Sequence, residues 1–281
     1  MRRLASLGVL IAAGACQSIP APPQRLALQP YVGRLVTLDA SIDGTALTLL
    51  LDTGAGLTAL TPEAAGAVAC APFGRVTGHR MTGETVSFAR CGLRQVEIAG
   101  DKAPVDLNVF DLMALLPPGL PVVEGIAALS VFAGRPFTLD LDDAAIVLES
   151  PTTLAARLQT AREGKLRLVY GPGGFGDVLA LVGFPGREGD SWFLLDSANL
   201  GPVLVSPHTL SQWGAHNAFE GAEVELDLKF AEGLRLTVPA AVKDTLYDGV
   251  LNEATLRRFE ITFDLERERI WFSTPEAAPP R

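Results

Sequence analysis

Two short stretches of the chain end an apolar run with an aspartate, and such a pair could do acid–base chemistry. Residues 49–57 read LLLDTGAGL, and residues 193–201 read FLLDSANLG. Two carboxylates held close together, here Asp52 and Asp196, would share one proton. The ionised carboxylate could then take a proton from a water molecule while the protonated one polarises a carbonyl group.

The residues that follow each aspartate suit the support of such a pair. Thr53 and Ser197 carry hydroxyl groups that could form hydrogen bonds across or beneath the two carboxylates and hold both loops in place. Gly54 and Ala198 are small, so the loop backbones could approach each other and offer N–H groups to the carboxylates.

An internal repeat places the two aspartates at equivalent positions. Residues 123–150 align without a gap to residues 247–274, at an offset of 124. The matched pairs include Gly125 with Gly249, Thr138 with Thr262, and Asp140 with Asp264. The two aspartates lie 144 residues apart (196 − 52), so the second copy is 20 residues shorter (144 − 124) between its landmarks. A chance Asp-Thr-Gly string would have no such counterpart.

Short strand patterns dominate the chain, which predicts a mostly β fold with a few short helices. A hairpin is predicted at Asp43-Gly44, between two apolar runs. Helices are predicted at 61–68, with Thr61 as N-cap and Pro62 in the first turn, and at 151–164.

The repeat and the helical patterns together predict the organisation of the chain. Two homologous lobes are expected, joined by a helical linker and flanked by short terminal segments. The predicted segments are a signal peptide (1–16), a tether (17–28), the first lobe (29–150), the linker (151–164), the second lobe (165–274) and a tail (275–281).

The N-terminus is typical of an export signal. Two arginines precede an apolar stretch that is too short to span a bilayer, and small residues then lead to Cys16. The ending resembles a bacterial lipobox, which predicts lipidation of Cys16 and a periplasmic or outer-membrane-anchored lipoprotein. The alternative is ordinary cleavage near Ala15.

Export favours a disulfide between Cys70 and Cys91, worth roughly 3 kcal/mol, over two buried thiols.

Composition and residue spacing argue against several other classes of ligand. The net charge of −9 and the absence of a long basic run argue against nucleic acid as a partner. The three histidines and the cysteines show no metal-ligand spacing, so no metal is expected. The stretch GPGGFG (171–176) matches a dinucleotide-binding pattern, but a strand-like run follows it instead of a helix. A glycine-rich hairpin and no cofactor are therefore predicted.

These motifs resemble those of the retropepsin-like and pepsin-like aspartic proteases. The resemblance rests on LLDTGA (50–55), LLDSA (194–198) and the later signatures EGIAA (124–128) and DGVLN (248–252). It implies two acid-protease-type β-barrel lobes related by a pseudo-twofold axis, with Asp52 and Asp196 as the catalytic pair.

The same family has a β-hairpin flap that closes over its substrate. The resemblance places that flap at 76–86, with Gly78, Thr82 and Gly83 near its tip. The alternative is an ordinary surface hairpin. The second lobe has no obvious equivalent, so one flap is expected.

Three functional hypotheses follow. The first is a monomeric aspartic endopeptidase acting on a peptide or protein substrate, with contact to a membrane only through the lipid anchor. The second is an inactive peptide-binding module on the same fold, because Ala128, Ala198, Asn199 and Asn252 depart from the family pattern. The third is a homodimer in which only the first lobe is competent.

Overall fold

The computed structural model describes residues 22–171 and 177–274. The predicted signal peptide with Cys16, the predicted C-terminal tail and residues 172–176 of the glycine-rich stretch lie outside this part of the chain. No helix within the described ranges is long and apolar enough to cross a membrane.

The prediction of a mostly β fold is confirmed, with 48% strand and 12% helix. The first half contains β1 (Gln24–Ala27), β2 (Gln29–Pro30), β3 (Val36–Ile42), β4 (Thr45–Leu51), β5 (Ala59–Leu60), β6 (Phe73–His79), β7 (Thr85–Ile98), β8 (Asp101–Val109), β9 (Gly125–Ala127), β10 (Phe137–Asp140) and β11 (Ala145–Leu148). The second half contains β12 (Arg162–Tyr170), β13 (Val178–Pro185), β14 (Asp190–Leu195), β15 (Val203–Val205), β16 (Glu223–Ala231), β17 (Leu234–Val242), β18 (Gly249–Leu251), β19 (Glu260–Asp264) and β20 (Arg269–Ser273).

The helices are short. The α-helices are α1 (Pro62–Ala67), α2 (Pro151–Arg157) and α3 (Glu253–Leu256), and 3-10 turns lie at Met113–Leu115, Leu129–Phe132 and Pro207–Trp213. Helix α1 begins as predicted, because the Thr61 side chain accepts a hydrogen bond from the Ala64 amide and Pro62 occupies the first turn.

Six strands of the first lobe close into a barrel. Their order is β3-β4-β9-β5-β8-β7, and β7 returns to β3 through the pair Ile42 and Val96. The predicted hairpin between β3 and β4 is confirmed. Both of its turn residues have positive φ (50° at Asp43 and 88° at Gly44), the conformation that a two-residue hairpin needs.

Alternation along β4 separates the core of the first lobe from its outer face. Leu49 and Leu51 are buried in the main core, whereas Leu50 points to the other side, into a separate apolar cluster. In the second lobe β13, β14, β18, β15, β17 and β16 follow one another in the sheet. There β14 pairs in parallel with β18, as β4 pairs with β9, and Leu194 faces away from the main core as Leu50 does.

One sheet joins the two lobes. Its strand order is β1-β11-β10-β19-β20-β12, so β19 and β20 of the second lobe continue the sheet begun by the first. Thr138 lies opposite Thr262, and their Oγ1 atoms are 2.9 Å apart. These two residues are equivalent in the repeat, so the pseudo-twofold axis passes between them.

The structure corrects two predicted boundaries. Residues Gln24–Ala27 belong to a strand paired with β11, so the predicted tether (17–28) is wrong there. The predicted linker helix (151–164) ends at Arg157, and β12 already begins at Arg162. Gly164 does not stop the helix; it lets β12 pack closely, because a Cβ there would lie 2.7 Å from a ring carbon of Phe272.

The second lobe is shorter than the first in two places. It has no counterpart of β6 and the first part of β7, which form a projecting hairpin. The connection before the last parallel strand is also shorter, since residues 110–124 lead into β9 whereas only residues 243–248 lead into β18.

The predicted disulfide is confirmed. Cys70, which follows α1, is bonded to Cys91 in β7, and their Cα atoms lie 5.6 Å apart. The bond ties the helical corner of the first lobe to the strand that carries the projecting hairpin.

Candidate functional site

Asp52 and Asp196 lie at the ends of equivalent strands. Asp52 directly follows β4, and Asp196 directly follows β14. The Asp52 amide donates to the carbonyl oxygen of Ala127 (3.0 Å), so the loop starts from the parallel pair β4–β9. A rigid strand pair therefore fixes the point from which the carboxylate projects.

Thr53 and Ser197 hold the two loops together by reciprocal hydrogen bonds. The Thr53 amide donates to Ser197 Oγ and the Ser197 amide donates to Thr53 Oγ1, both at 3.0 Å. Each hydroxyl also donates to a backbone carbonyl of the opposite strand, Thr53 Oγ1 to Leu195 (2.9 Å) and Ser197 Oγ to Leu51 (3.2 Å). Both side chains are buried, so these bonds are shielded from water.

Gly54 leaves room for the carboxylate of the other lobe. A Cβ at Gly54 would lie 2.5 Å from Cγ of Asp196, so the Asp196 side chain lies directly against the loop that carries Asp52. Oδ1 of Asp52 accepts hydrogen bonds from the amides of Gly54 (2.9 Å) and Ala55 (3.0 Å). Oδ1 of Asp196 accepts one from the amide of Ala198 (2.9 Å). The structure thus brings together the two aspartates and the four residues predicted to support them.

The environment makes both carboxyl groups hard to ionise. Burial raises the pKa of Asp52 to about 6, although the amides of Gly54 and Ala55 oppose this shift. Burial, and then the negative charge of Asp52, raise the pKa of Asp196 to about 8. The two groups therefore titrate as a pair, and between these values they hold one proton.

The departures in the second loop have structural explanations. Ala198 is not among the described residues with positive φ, so its position does not require glycine. The side chain of Asn199 accepts from the Gly201 amide (2.9 Å) and donates to the Pro202 carbonyl oxygen (3.2 Å), which shapes the loop.

The side chain of Asn252 also has a structural role. It caps α3, because its Oδ1 accepts from the Thr255 amide (3.0 Å), and its Nδ2 donates to the Gly201 carbonyl oxygen (2.7 Å). The polar side chain of Asn252 is therefore accommodated at this position by hydrogen bonds. Ala128 is fully buried and its amide donates to Thr58 Oγ1 (3.2 Å).

The acidic residues that precede β9 and β18 each accept a hydrogen bond from the backbone of a neighbouring strand. Glu124 accepts a hydrogen bond from the Thr48 amide (2.6 Å), and Asp248 accepts one from the Trp192 amide (2.7 Å). Thr48 and Trp192 are themselves 144 residues apart, so this contact repeats in both lobes.

The predicted flap is a real hairpin that reaches the second lobe. Strands β6 and β7 pair antiparallel, and Gly83 has a φ of 90° in the turn between them. Thr82 and Gly83 lie at the tip, but Met81 makes the contact with the second lobe. Its carbonyl oxygen accepts a hydrogen bond from the Leu246 amide (2.9 Å).

Two residues of this site were missed from the sequence, Met81 and Tyr247. The Tyr247 side chain packs on the apolar cluster that contains Leu194, and burial, followed by the charge of Asp196, raises its pKa. Met81 could have been noticed as the one apolar residue in the polar turn HRMTGE (79–84). Tyr247 has no sequence signal, since it stands where the first lobe has Val123.

Metal binding has no support in the described chain. Within residues 22–171 and 177–274, no group of three or more His, Cys, Asp or Glu side chains could hold a metal ion. The chemistry that the site offers is that of two carboxyl groups sharing a proton.

Comparison with known proteins identifies similar structures and no family. No protein-family model matches the chain, and no curated protein sequence matches it. Among solved structures, the chain is similar to basic 7S globulin from soybean, with a TM-score of 0.53 and 12% identity over 90% of this chain and 95% of that one. It is also similar to conglutin gamma, a basic 7S globulin from lupine seeds, with a TM-score of 0.53 and 12% identity over 91% and 95% of the two chains.

These findings correct the family assignment made from the motifs. The two structures named above are basic 7S globulins, and no family model supports a retropepsin-like or pepsin-like assignment. The motifs describe a pair of loops on a two-lobed scaffold, and one scaffold can carry different functions. At 12% identity the likeness shows the fold alone.

Proposed function

We propose that the protein hydrolyses peptide bonds by means of a water molecule activated between Asp52 and Asp196. One observation carries this proposal: the buried Asp196 side chain lies against the loop of the half-buried Asp52, and the pKa of both carboxyl groups is raised. Isolating acid groups from water in this way has an energetic cost, and such shifts are concentrated at functional sites.

The proposed mechanism needs no covalent intermediate with the protein. The ionised carboxylate takes a proton from water as the water oxygen bonds to the peptide carbonyl carbon. The protonated carboxyl group gives its proton to the carbonyl oxygen, which produces a tetrahedral diol. The carboxyl group that took the water proton then gives it to the peptide nitrogen as the C–N bond breaks. The other carboxylate takes a proton from a hydroxyl of the diol, so the products are an amine and a carboxylic acid and the pair again holds one proton.

Apolar surfaces on both sides of the pair favour a peptide with apolar side chains. The lobe-one cluster is built on Leu50, Leu112, Val123 and Ile126, and the lobe-two cluster is built on Leu181, Leu194 and Val250. Each borders one aspartate, since Leu50 and Leu194 stand two residues before Asp52 and Asp196.

Single substitutions of the two aspartates test the proposal. We expect Asp52→Asn and Asp196→Asn each to abolish cleavage of a mixed peptide library by purified mature protein, measured by mass spectrometry between pH 4 and pH 9. Asp39→Asn, at an exposed position of β3, is the matched control and should leave cleavage intact. Cleavage that persists in both aspartate variants would exclude the proposal.

A peptide-binding module without turnover is the second candidate. It is favoured by the flap contact between Met81 and Leu246, which closes the hairpin on the second lobe, and by the similar structures, whose names describe globulins. This candidate predicts saturable peptide binding with no product at any pH. Hydrolysis that requires both aspartates would eliminate it.

Export and a monomeric state are further parts of the proposal. The apolar N-terminus ending at Cys16 and the disulfide support an oxidising compartment. A monomer is supported by the origin of both aspartates in one chain. Labelling of cells with radioactive palmitate, with Cys16→Ser as the control, tests the lipid anchor, and sedimentation of the mature protein tests the monomer.

A further inference from the structure

The lobe-two cluster contains a residue that does not belong to that lobe. Its buried members Leu181, Leu194 and Val250 are packed against partly buried neighbours. These neighbours are Met81, Leu179, Trp192, Leu204 and Tyr247. All of them except Met81 come from the second lobe, whereas Met81 comes from the tip of the β6–β7 hairpin of the first.

The two apolar clusters are equivalent in the repeat. Leu50 corresponds to Leu194 and Leu35 to Leu179 at the offset of 144, and Ile126 corresponds to Val250 at the offset of 124. The clusters therefore lie on opposite sides of the aspartate pair, related by the same pseudo-twofold axis.

The clusters differ in what covers them. Residues 110–116 of the first lobe, with Phe110, Met113 and Leu116, cover the lobe-one cluster. The corresponding connection of the second lobe (243–248) is too short to provide such a segment. Met81 takes that place from across the cleft, so its removal would uncover the lobe-two cluster without removing any part of that lobe.

A residue packed on the lobe-two cluster also lies against the loop that carries Asp52. Leu179 lies against the Asp52 loop, because a Cβ at Gly56 would be 3.3 Å from Cγ of Leu179. A side chain held in this cluster would therefore lie near the loop that carries Asp52.

We propose that the lobe-two cluster is a subsite for an unbranched apolar side chain of a peptide, and that Met81 fills it in the free protein. The size and shape of the ligand side chain follow from the resident one: an unbranched, flexible, apolar chain of four heavy atoms. A peptide must displace Met81 to bind, so Met81 competes with the ligand. This inference rests on the proposed function for its location beside the scissile bond, and its test is independent of turnover.

Population arithmetic gives the expected size of the effect. When a competing internal contact keeps a site closed, the apparent dissociation constant rises by the inverse of the open fraction. Shortening Met81 should therefore tighten the binding of a fitting peptide, even though it removes apolar surface from the hairpin.

The experiment measures binding in the Asp52→Asn background, where no hydrolysis is expected. The probe is a hexapeptide with a methylene-amine central bond flanked by two norleucines, and its partner probe carries two aspartates instead. Affinities are measured by titration calorimetry for Met81, Met81→Leu and Met81→Ala. Met113→Ala in the lobe-one cluster is the matched control, since it removes the same side chain from a surface that its own lobe covers.

We expect Met81→Ala to bind the norleucine probe about threefold or more tightly than the parent, and Met81→Leu to bind it within about twofold of the parent. Met113→Ala should not tighten binding, and the aspartate probe should bind none of the variants. Equal or weaker binding by Met81→Ala, or no binding of the norleucine probe to any variant, overturns the inference. If the parent protein hydrolyses no peptide but Met81→Ala still binds the norleucine probe more tightly, only the proposal of hydrolysis is contradicted and the subsite inference stands.

Discussion

The Cβ atom that Gly54 lacks would lie 2.5 Å from the carboxylate carbon of Asp196. The two lobes therefore meet so closely at the aspartate pair that one methyl group decides whether they fit. Ala198, at the equivalent position of the second loop, already carries that methyl group, so the two loops are not interchangeable.

Substitution at Gly54 should separate the two loops. We expect Gly54→Ala to displace the Asp196 carboxylate, to reduce any hydrolysis at least about tenfold, and to cost roughly 1–3 kcal/mol of unfolding free energy. Chemical denaturation and peptide cleavage measure the two effects. Ala198→Gly is the matched control and should change stability by less than about 1 kcal/mol. An unaffected Gly54→Ala variant would mean that the loops lie farther apart.

The hydrogen bonds between Thr53 and Ser197 should act as a unit. Each variant, Thr53→Val or Ser197→Ala, leaves buried backbone groups of the other loop without a partner, at a cost of roughly 1–3 kcal/mol. The double variant should be less destabilised than the sum of the single ones, because loss of either pair of bonds already loosens the loop contact that the other pair also holds. Urea unfolding of the four proteins provides the double-mutant cycle, and simple additivity would contradict the cross-loop bonds.

The raised pKa values predict the pH dependence of stability. A carboxyl group at Asp196 has its ordinary pKa near 3.8 when unfolded and about 8 when folded. Its stabilising contribution is complete below the unfolded value and is lost as the pH rises through about 8. Asp196→Asn cannot ionise and keeps its oxygen for the Ala198 amide.

We therefore expect the melting temperature of Asp196→Asn to exceed that of the parent by several degrees at pH 9. The difference should shrink towards pH 4, in calorimetric scans at matched ionic strength. A difference that is constant over this range would show that the carboxyl group is not buried as described.

Hydrolysis, where it occurs, should follow a bell-shaped pH profile. The active pair needs one proton, so the rate should fall on the acid side near the value for Asp52 (about 6) and on the alkaline side near the value for Asp196 (about 8). Values of kcat/KM, obtained from initial rates between pH 4 and pH 10, give the profile. A rate that keeps rising above pH 9 would contradict a shared proton.

Loss of the disulfide should destabilise the first lobe. We expect Cys70→Ser with Cys91→Ser to cost roughly 3 kcal/mol, because the bond closes a loop with a sequence separation of 21 residues. Unfolding under oxidising and reducing conditions measures this cost. The double variant should no longer respond to reductant.

The sequence predicted those features that depend on local pattern and on the repeat. The Asp43-Gly44 hairpin, helix α1, the two-lobed β architecture and the equivalence of the aspartate loops all follow from residue type and spacing. The disulfide was also predicted, since lipidation of Cys16 would leave Cys70 and Cys91 as one pair in an oxidising compartment.

Features that depend on contacts between distant segments were not predicted. The position of Met81 in the second lobe depends on how far the hairpin reaches, which no spacing in the sequence encodes. Strand β1 pairs with β11 across more than 100 residues, so the local pattern around Gln24 predicts a tether where the structure has a strand. The family assignment failed for a different reason, because a short motif on a shared fold does not determine ancestry or activity.

The pairing of β10 with β19 has a consequence for synthesis of the chain. Strands β19 and β20 lie between β10 and β12 in the sheet, so β10 pairs with β11 on one side and with β19 on the other. A nascent chain therefore carries an open strand edge on its N-terminal half until residue 264 has left the ribosome. Truncation before that point exposes an edge suited to aggregation, and the two halves complete folding together, late in synthesis.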